Sequence, residues 1–246
     1  MLMRPTIADD DELKSATSRK TWSYIHSFIS RGRRKIVIRI LVPAAMAVAL
    51  VGCAGKVDYI KPSALANAEN SKVINKPRQV VWDAAVPQLG KEFFVINNLD
   101  RSSGLINISY AGDPEKYIDC GRIVSYVKNA RGERTYDFPA ARQQMNYEIM
   151  TTNLFFLNRQ MNLEGRVNLI FEEVSPDQTR VSANTRYVVK RDRTVRDVRD
   201  RSETQSDSIS FNTNTSASFP AGGSNLEATT CQPTGALERE ILLNIR

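Results

Sequence analysis

Residues 161–171 and 180–189 alternate with period two, and "SPDQ" between them is a turn, so the two runs pair with each other. Met161, Leu163, Gly165, Val167, Leu169 and Phe171 take the odd positions of the first run, against Asn162, Glu164, Arg166 and Asn168. Val181, Ala183, Thr185, Tyr187 and Val189 repeat that parity against Arg180, Ser182, Asn184 and Arg186. Successive side chains of a strand point to opposite faces, so the pattern predicts a long antiparallel hairpin, buried on one face and solvated on the other. Such a face needs a cover, and the rest of the chain has to provide it.

Two segments have helical period. In "KPRQVVWDAAVPQLGKE" Pro77 suits the first turn and Gly90 the end, while Val81, Ala85 and Leu89 recur at i, i+4, i+8 with Trp82 widening the stripe. Pro87 marks a kink or an early stop. In "CQPTGALEREILLNI" Thr234 is placed to cap, and Leu237, Ile241 and Ile245 form the apolar stripe. Between the two helices, "FFVINNLDRSSGLINISY" reads as a β-hairpin, Asp113 with Pro114 as a capped turn, "RIVSYVK" as a strand and 128–140 as a charged surface loop. "SISFNTNTSASFP" suits an edge strand. In order, these elements predict an α+β domain: an antiparallel sheet with an N-terminal and a C-terminal helix packed on one face.

The whole chain carries 34 basic and 27 acidic residues, net +7. Nine of the basic and four of the acidic residues precede Cys53, so the part from residue 53 onward is only +2 and gives no ground for a nucleic-acid partner. The single histidine, His26, also lies before Cys53. Without imidazole, the part from Cys53 onward has no Ser-His-Asp or Cys-His catalysis and no His-containing zinc site. Adjacent Glu172 and Glu173 would point to opposite faces of a strand and cannot act as a facing acid pair. No catalytic residue, metal ligand or cofactor site is identified. "KRDRTVRDVRDR" (190–201) holds six basic and three acidic residues. It reads as a solvated hairpin tip paired within itself through Asp192, Asp197 and Asp200, with a patch for lipid phosphates or lipopolysaccharide as the alternative.

Leu50, Val51, Gly52 and Cys53 resemble the lipobox of bacterial lipoproteins. Upstream lie Arg31, Arg33, Arg34, Lys35 and Arg39 and then the apolar run 40–52, whose thirteen residues reach only about 20 Å as a helix, against a bilayer core of about 30 Å. That length suits a signal h-region; a short membrane anchor or a buried helix is the alternative. The resemblance implies cleavage before Cys53 and a diacylglycerol on its thiol, with Ala54 implying the outer membrane and a domain facing the periplasm. "RRKIV" faintly resembles a twin-arginine signal, so Tat export stands beside Sec. The expected organisation is a removed signal peptide at 1–52, a lipidated cysteine and flexible tether at 53–71, and one domain at 72–246 with a charged, Ser/Thr-rich hairpin region around 190–224. In an oxidising compartment Cys120 and Cys231 read as a disulfide closing a loop of about 110 residues, or else as two buried thiols.

"QVVWDAAVPQLGKEFFVINNLDRSSGLINISY", with Asp100, Ser103 and Gly104 in its turn, resembles the helix-grip domains of BamC-type lipoproteins of the outer-membrane β-barrel assembly machine. This implies a non-catalytic scaffold or accessory subunit with envelope protein partners. A periplasmic carrier of lipid or another apolar ligand is the alternative. Large side chains under the C-terminal helix would favour the scaffold, and a void lined by Phe and Leu the carrier.

Overall fold

The computed structural model describes residues 53–64, 69–92, 94–220 and 228–246. The signal-peptide reading of 1–52 lies outside the described residues, as do 65–68 of the tether and 221–224 of the hairpin region. The strands are β1 (Ala54–Ile60), β2 (Ser71–Ile74), β3 (Val95–Asp100), β4 (Leu105–Gly112), β5 (Ile118–Asp119), β6 (Arg122–Asn129) and β7 (Gly132–Pro139). They continue with β8 (Gln144–Met150), β9 (Leu154–Ser175), β10 (Gln178–Asp197), β11 (Ser202–Asn212), β12 (Ala217–Ser218) and β13 (Thr230–Pro233). The helices are α1 (Arg78–Leu89) and α2 (Ala236–Asn244).

The paired runs form one hairpin that is longer than their alternation alone marks out. β9 and β10 stay in one antiparallel register from Glu173 opposite Thr179 to Phe155 opposite Asp197, with a shift at the turn end between Gln178 and Thr179. On β9 the odd residues from Leu157 to Phe171 are buried, as are those of β10 from Thr179 to Arg193. At the turn end, β2 lines β10, and β4 with β3 lines β9. At the far end, β8 lines β9 and β11 lines β10.

The α+β expectation is corrected here: strands make up 60% of the described residues, against two helices, so the fold is mainly β. Two strands precede the first helix, which therefore does not open the described chain. Length explains the outcome. A 22-residue strand runs about 70 Å, whereas helices of 12 and 9 residues reach about 18 Å and 14 Å. The helices shield the apolar part of the hairpin face. Val81, Trp82, Ala85 and Leu89 of α1 are buried, with Trp82 edge-on to Phe171 at 5.2 Å. Leu237 and Ile241 of α2, and Ile245 beyond it, are fully buried. α2 comes so close that a Cβ on Gly165 would lie 3.0 Å from Leu237 Cδ2.

The rest of the hairpin lies beyond the reach of these helices, and β8, on its edge, packs against a second sheet of order β1-β6-β7. Phe138 meets Tyr147 with ring centroids 5.0 Å apart, and Ser125 Oγ donates to the Glu148 carbonyl at 2.5 Å. Two segments expected to be irregular supply this sheet. Ala54–Ile60, expected as tether, pairs residue for residue with β6. Residues 128–140, expected as a loop, turn at Ala130–Arg131 and return as β7. Arg134, Tyr136 and Phe138 are its inward positions, and the arginine among them hides the alternation.

The "LDRSSG" turn behaves as its residues dictate. The Asp100 carboxylate accepts from Ser102 Oγ at 2.6 Å and from the Ser102 and Ser103 amides, which holds its pKa down to about 2.

Truncation of the helix-covered face is expected to be costly. Phe171→Ala should lower the unfolding free energy by about 3–5 kcal/mol, whereas the exposed Glu172→Ala should change it by less than about 0.5 kcal/mol, both measured by urea denaturation.

Candidate functional site: a buried arginine cluster

Extending the parity of β9 and β10 past their apolar stretches puts arginine where valine and leucine stood. The odd positions that follow Val189 are Arg191 and Arg193, and the one before Met161 is Arg159. All three fall on the covered face, with exposures of 1% for Arg159, 2% for Arg191 and 5% for Arg193. Half of the solvated-tip expectation for 190–201 is thereby corrected. The outer part does pair within itself, Arg196 with Asp200 at 2.7 Å and Arg201 with Asp197 at 2.6 Å. Arg191 and Arg193 are core residues.

Register sets the geometry. Arg159 stands directly opposite Arg193, with Gln205 next across the sheet, and Arg191 stands opposite Asp207 one inward row away. Directly opposed residues have Cβ atoms only about 4.5–5.5 Å apart, a destabilising distance for like charges. Asp207 Oδ2 accepts from Arg191 Nη2 at 3.0 Å and from Arg193 Nη2 at 3.1 Å. Arg193 Nη2 also donates to Gln205 Oε1 at 2.6 Å. Arg191 donates to the Pro220 carbonyl at 3.1 Å and to Thr229 Oγ1 at 3.4 Å, and its guanidinium lies 4.2 Å over the Phe219 ring.

Arg159 has none of this. Both of its terminal nitrogens are buried without a hydrogen-bond partner, and so are Nε of Arg191 and Nε of Arg193. Burial brings the Arg159 guanidinium down to about 10, which still leaves it charged at neutral pH. Burial and the neighbouring Arg193 push Arg191 in the same direction. Three buried guanidiniums thus stand together with one carboxylate, which only Arg191 and Arg193 bind.

A second buried ionisable group shows what satisfaction looks like in the same fold. Glu238, fully buried in the first turn of α2, accepts from the Tyr187 hydroxyl at 2.8 Å and from Thr213 Oγ1 at 2.9 Å. Burial, and then Glu238, raise the Tyr187 pKa, keeping that phenol a donor. This cluster is closed on itself; the arginine cluster is not.

The cysteines occupy separate places. Cys120 and Cys231 are joined in a disulfide with Cα atoms 4.0 Å apart, linking the β5–β6 connection to β13. Beside the bond, the Tyr59 hydroxyl lies 3.0 Å from the Cys120 carbonyl oxygen and accepts from the Thr230 amide at 2.8 Å. The strand that follows Cys53 is therefore tied to both sides of the crosslink. Cys53 itself is exposed and free.

Its position is set by two neighbours. Ala54 pairs with Lys128, next to the β6–β7 turn, and Gly55 lies so close to Met150 that a Cβ there would fall 2.2 Å from the Met150 carbonyl oxygen. Met150 opens the turn into β9, and Phe155 faces Asp197, where the β10–β11 turn begins. Cys53 thus stands at the end of the fold where three turns meet. Among the described residues, no three His, Cys, Asp or Glu side chains group as a metal site.

No protein-family model, curated protein or solved structure matches this chain. The lipobox resemblance therefore rests on its own residues.

Asp207 is the sole carboxylate bonded to these arginines among the described residues, so Asp207→Asn should destabilise the protein by about 3–5 kcal/mol in low-salt chloride buffer, measured by chemical denaturation.

Proposed function

We propose that the chain is a lipid-anchored envelope protein. In this reading it is acylated at Cys53, held at the outer membrane with its domain facing the periplasm, and non-catalytic, acting as a scaffold or accessory subunit through contacts with protein partners. The observation that carries this reading is the absence of slack after the anchor: β1 starts at Ala54, pairs along its length with β6 and is fastened by Tyr59 beside the disulfide. An acyl chain on Cys53 would hold the domain at a fixed height and orientation. Two acyl chains, at about 0.8 kcal/mol per buried CH₂, suffice for stable confinement. Confinement raises the effective concentration toward partners in the same membrane, so weak contacts become sufficient.

The filling of the α2 interface supports a scaffold over a carrier. Leu237, Ile241 and Ile245 are fully buried, Leu237 sits against Gly165, and Tyr187 reaches up to Glu238. Large side chains occupy the space that an apolar ligand would need. No helix among the described residues is long and apolar enough to cross a bilayer.

Cys53→Ser is expected to accumulate unprocessed precursor and to take up no labelled palmitate; normal processing and membrane retention in that variant would refute the lipoprotein reading. An insertion variant separates scaffold from carrier. Placing twenty Gly/Ser residues after Cys53-Ala54 should reduce co-purification of envelope proteins in mild detergent several-fold while leaving palmitate incorporation intact. A carrier would tolerate the added reach.

A further inference from the structure

Among the described residues, five buried side-chain polar atoms have no hydrogen-bond partner, and four of them belong to Arg159, Arg191 and Arg193. Unsatisfied groups scattered through a fold mark local imperfections, but these four converge on one patch of the sheet. They are all donors, and they are all cationic. Two features define what would satisfy them.

The first is charge. Three guanidiniums against Asp207 leave an excess of two positive charges, on a face walled by Phe219 and Thr229 and by the strands themselves. The second is donor geometry. Arg159 offers both terminal nitrogens as a fork, while Arg191 and Arg193 have turned their Nη2 atoms to Asp207 and keep their Nε–H groups free. A planar fork with flanking N–H donors suits an oxoanion with several acceptor oxygens.

We propose that Arg159, Arg191 and Arg193 form a binding site for a phosphate-class dianion, taken either as the free ion or as the phosphomonoester head of a lipid. A phosphate monoester carries about −1.5 to −2 at neutral pH, and inorganic phosphate lies near the lower end of that range, close to the excess charge. Chloride has one charge and no oxygens to occupy the fork. A polyanionic strand such as nucleic acid is too large to reach side chains 95% or more buried. The site is independent of the anchor at Cys53, and its tests do not depend on acylation.

Purified protein, unfolded in urea and refolded in chloride buffer, should bind inorganic phosphate with one-to-one stoichiometry by ³¹P NMR. Its thermal midpoint should rise with the logarithm of phosphate concentration, as ligand linkage requires. Arg159→Met should keep the far-UV spectrum and lose at least tenfold in phosphate affinity. Arg159→Lys, which keeps the charge without the fork, should retain an intermediate affinity and serves as the second variant if the methionine form fails to fold. Titration with soluble dihexanoyl phosphatidic acid distinguishes the sources: tenfold tighter binding than inorganic phosphate assigns a lipid head, and the reverse assigns the free ion. A refolded wild type that binds neither, or an Arg159→Lys variant that binds both as tightly as wild type, overturns the proposal.

Discussion

The parity of the β9–β10 hairpin is the constraint on which the rest of this fold depends. Nineteen consecutive residue pairs keep one register, so the odd-numbered side chains along this stretch of both strands are committed to the same face. A slip of one residue would move Leu163, Val167, Leu169 and Tyr187 into solvent and bury Glu164, Arg166, Asn168 and Arg186 instead. No other element carries a comparable commitment. The other parts of the fold are arranged along this ladder, on its edges or over its covered face.

The covered face changes chemistry along its length, and the cover changes with it. Where the inward residues are Leu163, Val167, Leu169 and Phe171, two short helices lie across the sheet and packing is by apolar contact. Gly165 leaves room for Leu237 of α2 against the sheet, and Glu238 of the same turn is tolerated because two hydroxyls donate to it. Where the inward residues are Arg159, Arg191 and Arg193, Phe219 and Thr229 lie against Arg191, and the Cys120–Cys231 bond ties β13, which begins just past Thr229, back to the β5–β6 link. A crosslink is of most use where burial yields least. Guanidiniums gain little by leaving water unless each is paired, so these inward positions contribute less of the hydrophobic term that holds the helices down.

Much of the secondary structure is legible in the residue pattern. The 2-residue period of 161–171 and 181–189, the helical stripe of Val81, Ala85 and Leu89, the stripe of Leu237, Ile241 and Ile245, and the Asp100 and Asp113 turns all follow from local chemistry. β7 was hidden because its inward positions include Arg134, paired with Glu148, so the strand does not alternate in hydrophobicity. β1 was hidden because Ala54, Gly55 and Lys56 have no β propensity of their own and gain it only by pairing with β6. The arginine cluster had a usable signal: the odd parity continues unbroken from Val189 into Arg191 and Arg193. That signal is overridden by composition, since a run with six cations in twelve residues reads as solvated.

What local chemistry settled, then, is which residues share a face: period and turn geometry act between neighbours in the chain, and no tertiary contact is needed to set them. What covers each face was decided only by the assembled fold. Two helices about 18 Å and 14 Å long cannot shield a hairpin about 70 Å long, so the balance of helix and sheet, the mainly-β class and the second sheet all follow from that mismatch of lengths. The burial of three arginines follows from it too, because a charged side chain is solvated or enclosed according to what lies across from it, and residues 54–60, 122–139, 217–220 and 228–233 come to lie there only through contacts far apart in sequence.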